Sequence, residues 1–271
     1  MVTEAAPTTP PWTRYVALGD SFTEGLWDAP DGLDAPMRGW ADLLAERLSA
    51  RRTAAGAAPL EYANLAIRGR RLAPIVDDQV PAALALAPDL VSLVGGGNDL
   101  LRPDGNPDRL AARLEAAVVR LREAGVDVLM ATGFDSADSP VVRLTRAKVA
   151  IYNTMIWSIA RRQGAHVVDL WGMRALHDWR MWAEDRIHLT SAGHERVAQA
   201  ALVALGLEPD APGWDDPLTP LPPTPFTDRA RANARWLRVH AAPWATRRVQ
   251  HRSSGDGRSP KRPVPTPVEP A

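Results

Sequence analysis

Five short apolar runs, each four to six residues long and separated by helical patterns, constrain this chain more than any other feature. They are YVAL (15–18), LEYANL (60–65), LVSLV (90–94), VDVLM (126–130) and HVVDL (166–170). Short runs rich in β-branched residues are what a strand buried on both faces of a parallel sheet needs. Between two of them, Asn106 and Pro107 read as N-cap and first turn of a helix that Gly125 stops. Leu110, Leu114, Ala117, Val118 and Leu121 recur there at helical spacing and predict one buried stripe. Residues 142–163 repeat the pattern, with Leu144, Ile151, Met155 and Ile159 as the expected stripe and Gly164 as the stop. Regular strand–helix alternation with right-handed crossovers predicts a three-layer α/β/α sandwich.

The pattern holds over residues 12–207, the expected core domain. Residues 1–11 read as a loose arm. Residues 208–246 read as a Pro-rich linker followed by an amphipathic helix, with Ala230, Ala234, Leu237, Ala241 and Trp244 on its packing face. Residues 247–271 are polar, basic and Pro-rich, a composition expected to stay disordered.

Composition narrows the function classes. Lys plus Arg and Asp plus Glu each number 32, so net charge points to no nucleic-acid partner. The chain has no cysteine, which excludes disulfides, thiolate metal sites and a cysteine nucleophile. No secretory signal pattern opens the sequence and no apolar stretch is long enough to span a bilayer, so a cytoplasmic location is expected.

Chemistry is expected at the carboxyl ends of the strands, beside the point where strand order reverses. Gly19-Asp20-Ser21-Phe22-Thr23 follows the first run and Asn64-Leu65-Ala66-Ile67-Arg68-Gly69 the second. Gly95-Gly96-Gly97-Asn98-Asp99 follows the third, and Asp185-Arg186-Ile187-His188 lies beyond the fifth. Ser21, at a strand-to-helix turn, is the candidate nucleophile, since a serine hydroxyl needs a base and nearby donors for the oxyanion it creates. Alone, a Gly-Asp-Ser turn is also a common helix cap. Position 23 is Thr, so the G-x-S-x-G elbow is absent, and no Lys follows to make a phosphate-binding loop. Asn98 reads either as a turn residue or as an amide donor to an oxyanion. Asp185 can hold the imidazole of His188 in one tautomer, or both residues can simply suit a helix entry. His194, farther along, reads as a helix-surface residue. No His or carboxylate pair has metal-ligand spacing, so neither metal nor cofactor is expected.

Together, in this order, the four clusters resemble the blocks of the SGNH (GDSL-type) hydrolase family over about residues 14–206. VALGDSFTEG is similar to the nucleophile block, NLAIRG to the second, VGGGND to the third and EDRIHLTSAGH to the last. The resemblance implies a flavodoxin-like sandwich of five parallel strands in the order 2-1-3-4-5. It also implies Ser21 as nucleophile, His188 as base and then acid, Asp185 as its orienting partner, and an oxyanion hole of the Ser21 and Gly69 backbone N–H groups with the Asn98 amide. Phe22 stands where the family name has Leu, an apolar replacement. The implied substrate is a small acyl ester, whether lipid, short acyl ester or acetylated sugar, with Trp27, Phe134 and Val141 as candidate pocket walls. Trp171, Trp179 and Trp182 are candidates to shield the His188 loop. Two alternatives stand beside this reading. One is a binding protein that keeps the fold without turnover. The other is a lipid acylhydrolase that contacts an anionic membrane surface through the arginine-rich residues 229–262.

Overall fold

The computed structural model of the protein describes residues 9–28, 37–136, 142–222, 225–243, 246 and 253–269. The five runs form β1 (Arg14–Leu18), β2 (Glu61–Asn64), β3 (Leu90–Leu93), β4 (Asp127–Ala131) and β5 (His166–Val168). They pair in parallel in the order β5-β4-β3-β1-β2, so strand order reverses between β1 and β3. The helices are α1 (Ser21–Glu24), α2 (Trp40–Ala54), α3 (Leu72–Pro74), α4 (Val80–Ala85), α5 (Gly97–Leu100), α6 (Pro107–Glu123), α7 (Arg146–Gln163), α8 (Ser191–Ala204) and α9 (Phe226–Trp236).

Successive strand residues feed opposite layers, as the pleat requires. Tyr15 and Ala17 of β1, with Leu129 and Ala131 of β4, join Trp40, Leu44 and Leu48 of α2 and Val197 and Ala201 of α8. Val16 and Leu18, with Val128 and Met130, join Leu114, Val118 and Leu121 of α6 and Ile156 and Ile159 of α7. Both sheet faces are therefore covered, giving the flavodoxin-like α/β/α sandwich.

α6 matches its sequence signature: Asn106 accepts from the Arg109 N–H at 2.9 Å, Pro107 opens the helix, and the predicted stripe is buried. α7 does not. Its buried residues are Tyr152, Asn153, Ile156, Ile159 and Ala160, while Leu144 is 82% exposed and Ile151 47%. The segment carries two overlapping apolar stripes. Tyr152 and Asn153 decide the phase, because the Tyr152 hydroxyl donates to Gly95 O and the Asn153 amide exchanges hydrogen bonds with both Gly133 backbone groups.

The C-terminal region departs from expectation in two places. Within the supposedly disordered tail, Arg262–Pro267 forms β6, which pairs antiparallel with β2 and makes the sheet six-stranded. Val268 beyond it is buried; its N–H donates to Leu60 O and its carbonyl accepts from Ser49 Oγ. Lys261 donates to Glu24 O, Met37 O and Asp42 Oδ2 at 2.6–2.8 Å. A basic, Pro-rich composition reads as solvated only while its partners are unknown: here the lysine meets a carboxylate, and Pro263, Pro265 and Pro267 suit an edge strand. In α9 the buried residue is Trp236, not the predicted Ala–Leu face, and Leu237 is 52% exposed. Trp244 lies outside the described residues, as does the arm over residues 1–8. One fully buried large side chain contributes about 2–3 kcal/mol, so the docking of α9 depends heavily on Trp236.

Candidate active site

The four clusters meet at the carboxyl edge of the sheet. Ser21 is the first residue of α1, capped by Asp20, whose side chain accepts from the Phe22 N–H at 3.1 Å. The turn is tight. A methyl group on Gly19 would come within 2.8 Å of Val94 O, so only glycine fits between β1 and β3. Buried Gln79 holds both backbone groups of Gly19, accepting from its N–H at 2.8 Å and donating to its carbonyl at 3.0 Å. Buried Asn64 donates to Thr23 O at 2.9 Å.

His188 Nε2 lies 2.8 Å from Ser21 Oγ, and His188 Nδ1 lies 2.6 Å from Asp185 Oδ2. The other oxygen of Asp185 accepts from the backbone N–H groups of Ile187 and His188, both at 3.0 Å. Burial pushes the Asp185 carboxyl up, but the ring, the charge of His188 and these two N–H groups outweigh it and hold the carboxyl below its ordinary range. An ionised carboxylate only accepts, so Nδ1 carries the proton and Nε2 presents its lone pair to the serine hydroxyl. That is the tautomer a general base requires.

The predicted oxyanion donors are arranged less simply. The Asn98 amide nitrogen donates to Asp20 Oδ2 and to Arg70 O, each at 3.0 Å, so both of its N–H groups have partners. Burial pushes the Asp20 carboxyl up to about 6, against the Phe22 N–H, the charge of His188 and the Asn98 amide. Gly69 has φ +74, and the space a side chain would take is filled by Ser253 and Ser254 ahead of β6. The turn carrying Gly69 is held by Glu24, which accepts from the Arg68 N–H at 2.6 Å and pairs with its guanidinium at 2.5 Å.

Beside Ser21 is a cavity of about 150 Å³ with apolar walls that include Val94, Leu101, Phe134, Val142, Val149 and Leu170. Phe134 is backed by Trp182 with ring centroids 4.5 Å apart. Trp27 does not line this cavity; it has positive φ (76°), and its ring lies 6.4 Å from that of His240. Val141 lies outside the described residues. His194 is not on the surface: it is 1% exposed, its Nδ1 accepts from the Trp40 N–H at 3.2 Å, and burial pushes its pKa down to about 3. It faces inward because α8 packs on α2 there. Among the described residues, no group of three or more His, Cys, Asp or Glu side chains is set to hold a metal ion, and no helix is long and apolar enough to cross a membrane.

Sequence reasoning missed Gln79, the Glu24–Arg68 pair and Trp236. Glu24 stood inside the first block and Arg68 inside the second, so their opposite charges were a usable signal. Gln79 and Trp236 gave none.

A parallel α/β sandwich with serine, imidazole and carboxylate in line at its carboxyl edge is an arrangement suited to nucleophilic acyl chemistry. The sequence gives the narrower class. Residues 17–196 match the model of the GDSL-like Lipase/Acylhydrolase family, and the chain belongs to that family of carboxylic ester hydrolases. Solved structures share the fold. LAE5, an α/β hydrolase enzyme from the metagenome of Lake Arreo, is 24% identical with a TM-score of 0.60, covering 72% of this chain and 95% of its own. A variant of Axe2, an acetyl xylan esterase from Geobacillus stearothermophilus, is 22% identical with a TM-score of 0.61, over 74% and 97%. A putative GDSL-like lipase from Parabacteroides merdae is 17% identical with a TM-score of 0.61, over 72% and 96%. No curated protein sequence matches the chain.

Proposed function

We propose that the protein hydrolyses a carboxylic ester through an acyl-enzyme formed on Ser21. The observation that carries this reading is the unbroken line from Ser21 Oγ to His188 Nε2 and from His188 Nδ1 to Asp185, at 2.8 and 2.6 Å. Ser21 attacks the acyl carbonyl as His188 takes its proton, and His188 returns that proton to the departing alkoxide. Water then attacks the acyl-enzyme with His188 again as base. The oxyanion is received by the N–H groups of Ser21 and Gly69 and by the Asn98 amide. Because that amide already serves two acceptors, Asp20 Oδ2 or Arg70 O must share its N–H with the oxyanion.

The cavity selects the acyl part. At about 150 Å³ the cavity has room for a short acyl chain beside Ser21. Its apolar walls favour such a chain over bare acetyl, although the Axe2 relative is named for an acetylated sugar. A fluorophosphonate probe should label Ser21, and Ser21→Ala should lose both label and turnover while melting normally. A p-nitrophenyl ester panel from acetyl to octanoyl should peak in kcat/KM near the middle. Absence of labelling on the folded protein would leave only the non-catalytic binding reading.

A further inference from the structure

α9 lies beyond the residues that match the family model, yet it touches the loop that carries the base. The Trp236 indole N–H donates to the backbone carbonyl of Asp185 at 2.9 Å in a buried contact. Its ring lies 5.3 Å from the guanidinium of Arg186, whose carbon is also 5.8 Å from the ring of Trp179. Arg186 donates to Asn233 Oδ1, again on α9, at 2.7 Å.

These contacts fall where the loop most needs support. Arg186 has φ +58, the left-handed region that a long side chain adopts only when its surroundings hold it. That conformation belongs to a turn closed by Arg186 N–H to Ala183 O and by Ala183 N–H to His188 O. Within it the backbone N–H groups of Ile187 and His188 point back at the Asp185 carboxylate. If the Asp185 carbonyl or the Arg186 guanidinium is released, the turn can relax. The Asp185 side chain then loses its aim on His188 Nδ1.

We propose that Trp236 is a positioning residue for the Asp185–His188 pair, so that the C-terminal helix is a working part of the active centre. This rests on the ester hydrolase reading above. Trp236 touches no reacting atom; it acts through the peptide that joins Asp185 to Arg186. A Trp that merely filled space would be replaced without catalytic loss by another flat, apolar ring.

The test uses the full chain and p-nitrophenyl butyrate. Trp236→Phe keeps the ring beneath Arg186 and removes the N–H; it should lower kcat roughly fivefold, as expected for one neutral hydrogen bond lost, with KM within twofold. Fluorophosphonate labelling of Ser21 should slow in parallel, well below the melting temperature. Trp236→Ala should slow both further, and Asn233→Ala should act in the same direction. If Trp236→Phe and Asn233→Ala keep wild-type kcat and labelling rate, the inference is overturned, including when Trp236→Ala fails to fold or only melts earlier. Wild-type protein lacking Ser21-dependent turnover would instead sink the hydrolase reading, and this inference with it.

Discussion

The turn that carries Ser21 and the loop that carries His188 meet at 2.8 Å, yet different kinds of structure support them. The Ser21 turn grows out of the central strand β1 and is backed by buried polar side chains from three directions: Gln79, Asn64 and the Asp20–Asn98 pair. The His188 loop leaves the sheet, closes on itself with short backbone bonds, and leans on buried Trp236 and on Arg186, which is stacked between Trp236 and the exposed Trp179. A buried hydrogen bond resists change because an unmatched partner inside the protein is costly. An exposed cation–aromatic stack costs little to open. The proposed nucleophile and base are thus fixed on one side and more adjustable on the other, so changes behind Ser21 should affect folding and catalysis together, whereas changes in the exposed part of the stack behind His188 should affect catalysis with little effect on folding.

Three measurements sharpen or break that contrast. The largest effect is expected for Asn98→Ala, which removes a proposed oxyanion donor and the partner of Asp20. Turnover should fall roughly a hundredfold with KM little changed, and unchanged kcat would take Asn98 out of the mechanism. Next comes Gln79→Leu, which leaves the Gly19 N–H without a partner inside the protein and the Gly19 carbonyl with only the Ile67 N–H. A loss of about 2 kcal/mol in denaturant stability should accompany reduced turnover. Full activity at lowered stability would show that the turn keeps its shape without that clamp.

The third measurement concerns His194, beneath the point where the His188 loop enters α8. Its folded pKa of about 3 is below the ordinary histidine value of 6.5. Between those values the unfolded chain binds the extra proton and the native one does not. Stability from this group is therefore complete above pH 6.5 and declines as pH falls, by up to about 1.4 kcal/mol per pH unit. Asp20, raised to about 6 from 3.8, acts in the opposite sense: it favours the fold at low pH and loses that contribution as pH rises from about 4 to 6. Comparing wild type with His194→Gln cancels the Asp20 contribution. Guanidinium midpoints from pH 4 to 7 should fall less steeply toward acid in the variant, and parallel curves would refute the buried neutral imidazole.

The same contrast bears on what the sequence makes legible. Strands, α6 and the four clusters could be read because each rests on a local signal: an apolar run, a cap or a turn tripeptide; the strand order followed only from the family resemblance. The α7 stripe was misphased because two apolar faces compete there, and hydrogen bonds of Tyr152 and Asn153 to distant loops break the tie. Trp236, Lys261 and β6 escaped for a related reason. Their partners Asp185, Asp42 and β2 lie far away in sequence, and composition says nothing about which distant group a lysine or an indole will find.

The pairing of β6 with β2 has a bearing on how the molecule is assembled. Ser49 and Val268, which hold the far end of that strand, are 219 residues apart along the chain, so this is among the slowest contacts to close. Until it closes, β2 offers open backbone groups to any neighbouring chain. Once seated, β6 presents prolines at every second position, which strips one side of the strand of donors and leaves a poor template. Refolding at high concentration should therefore be hazardous early and safe late, with the protein's own last strand acting as the stopper against self-association.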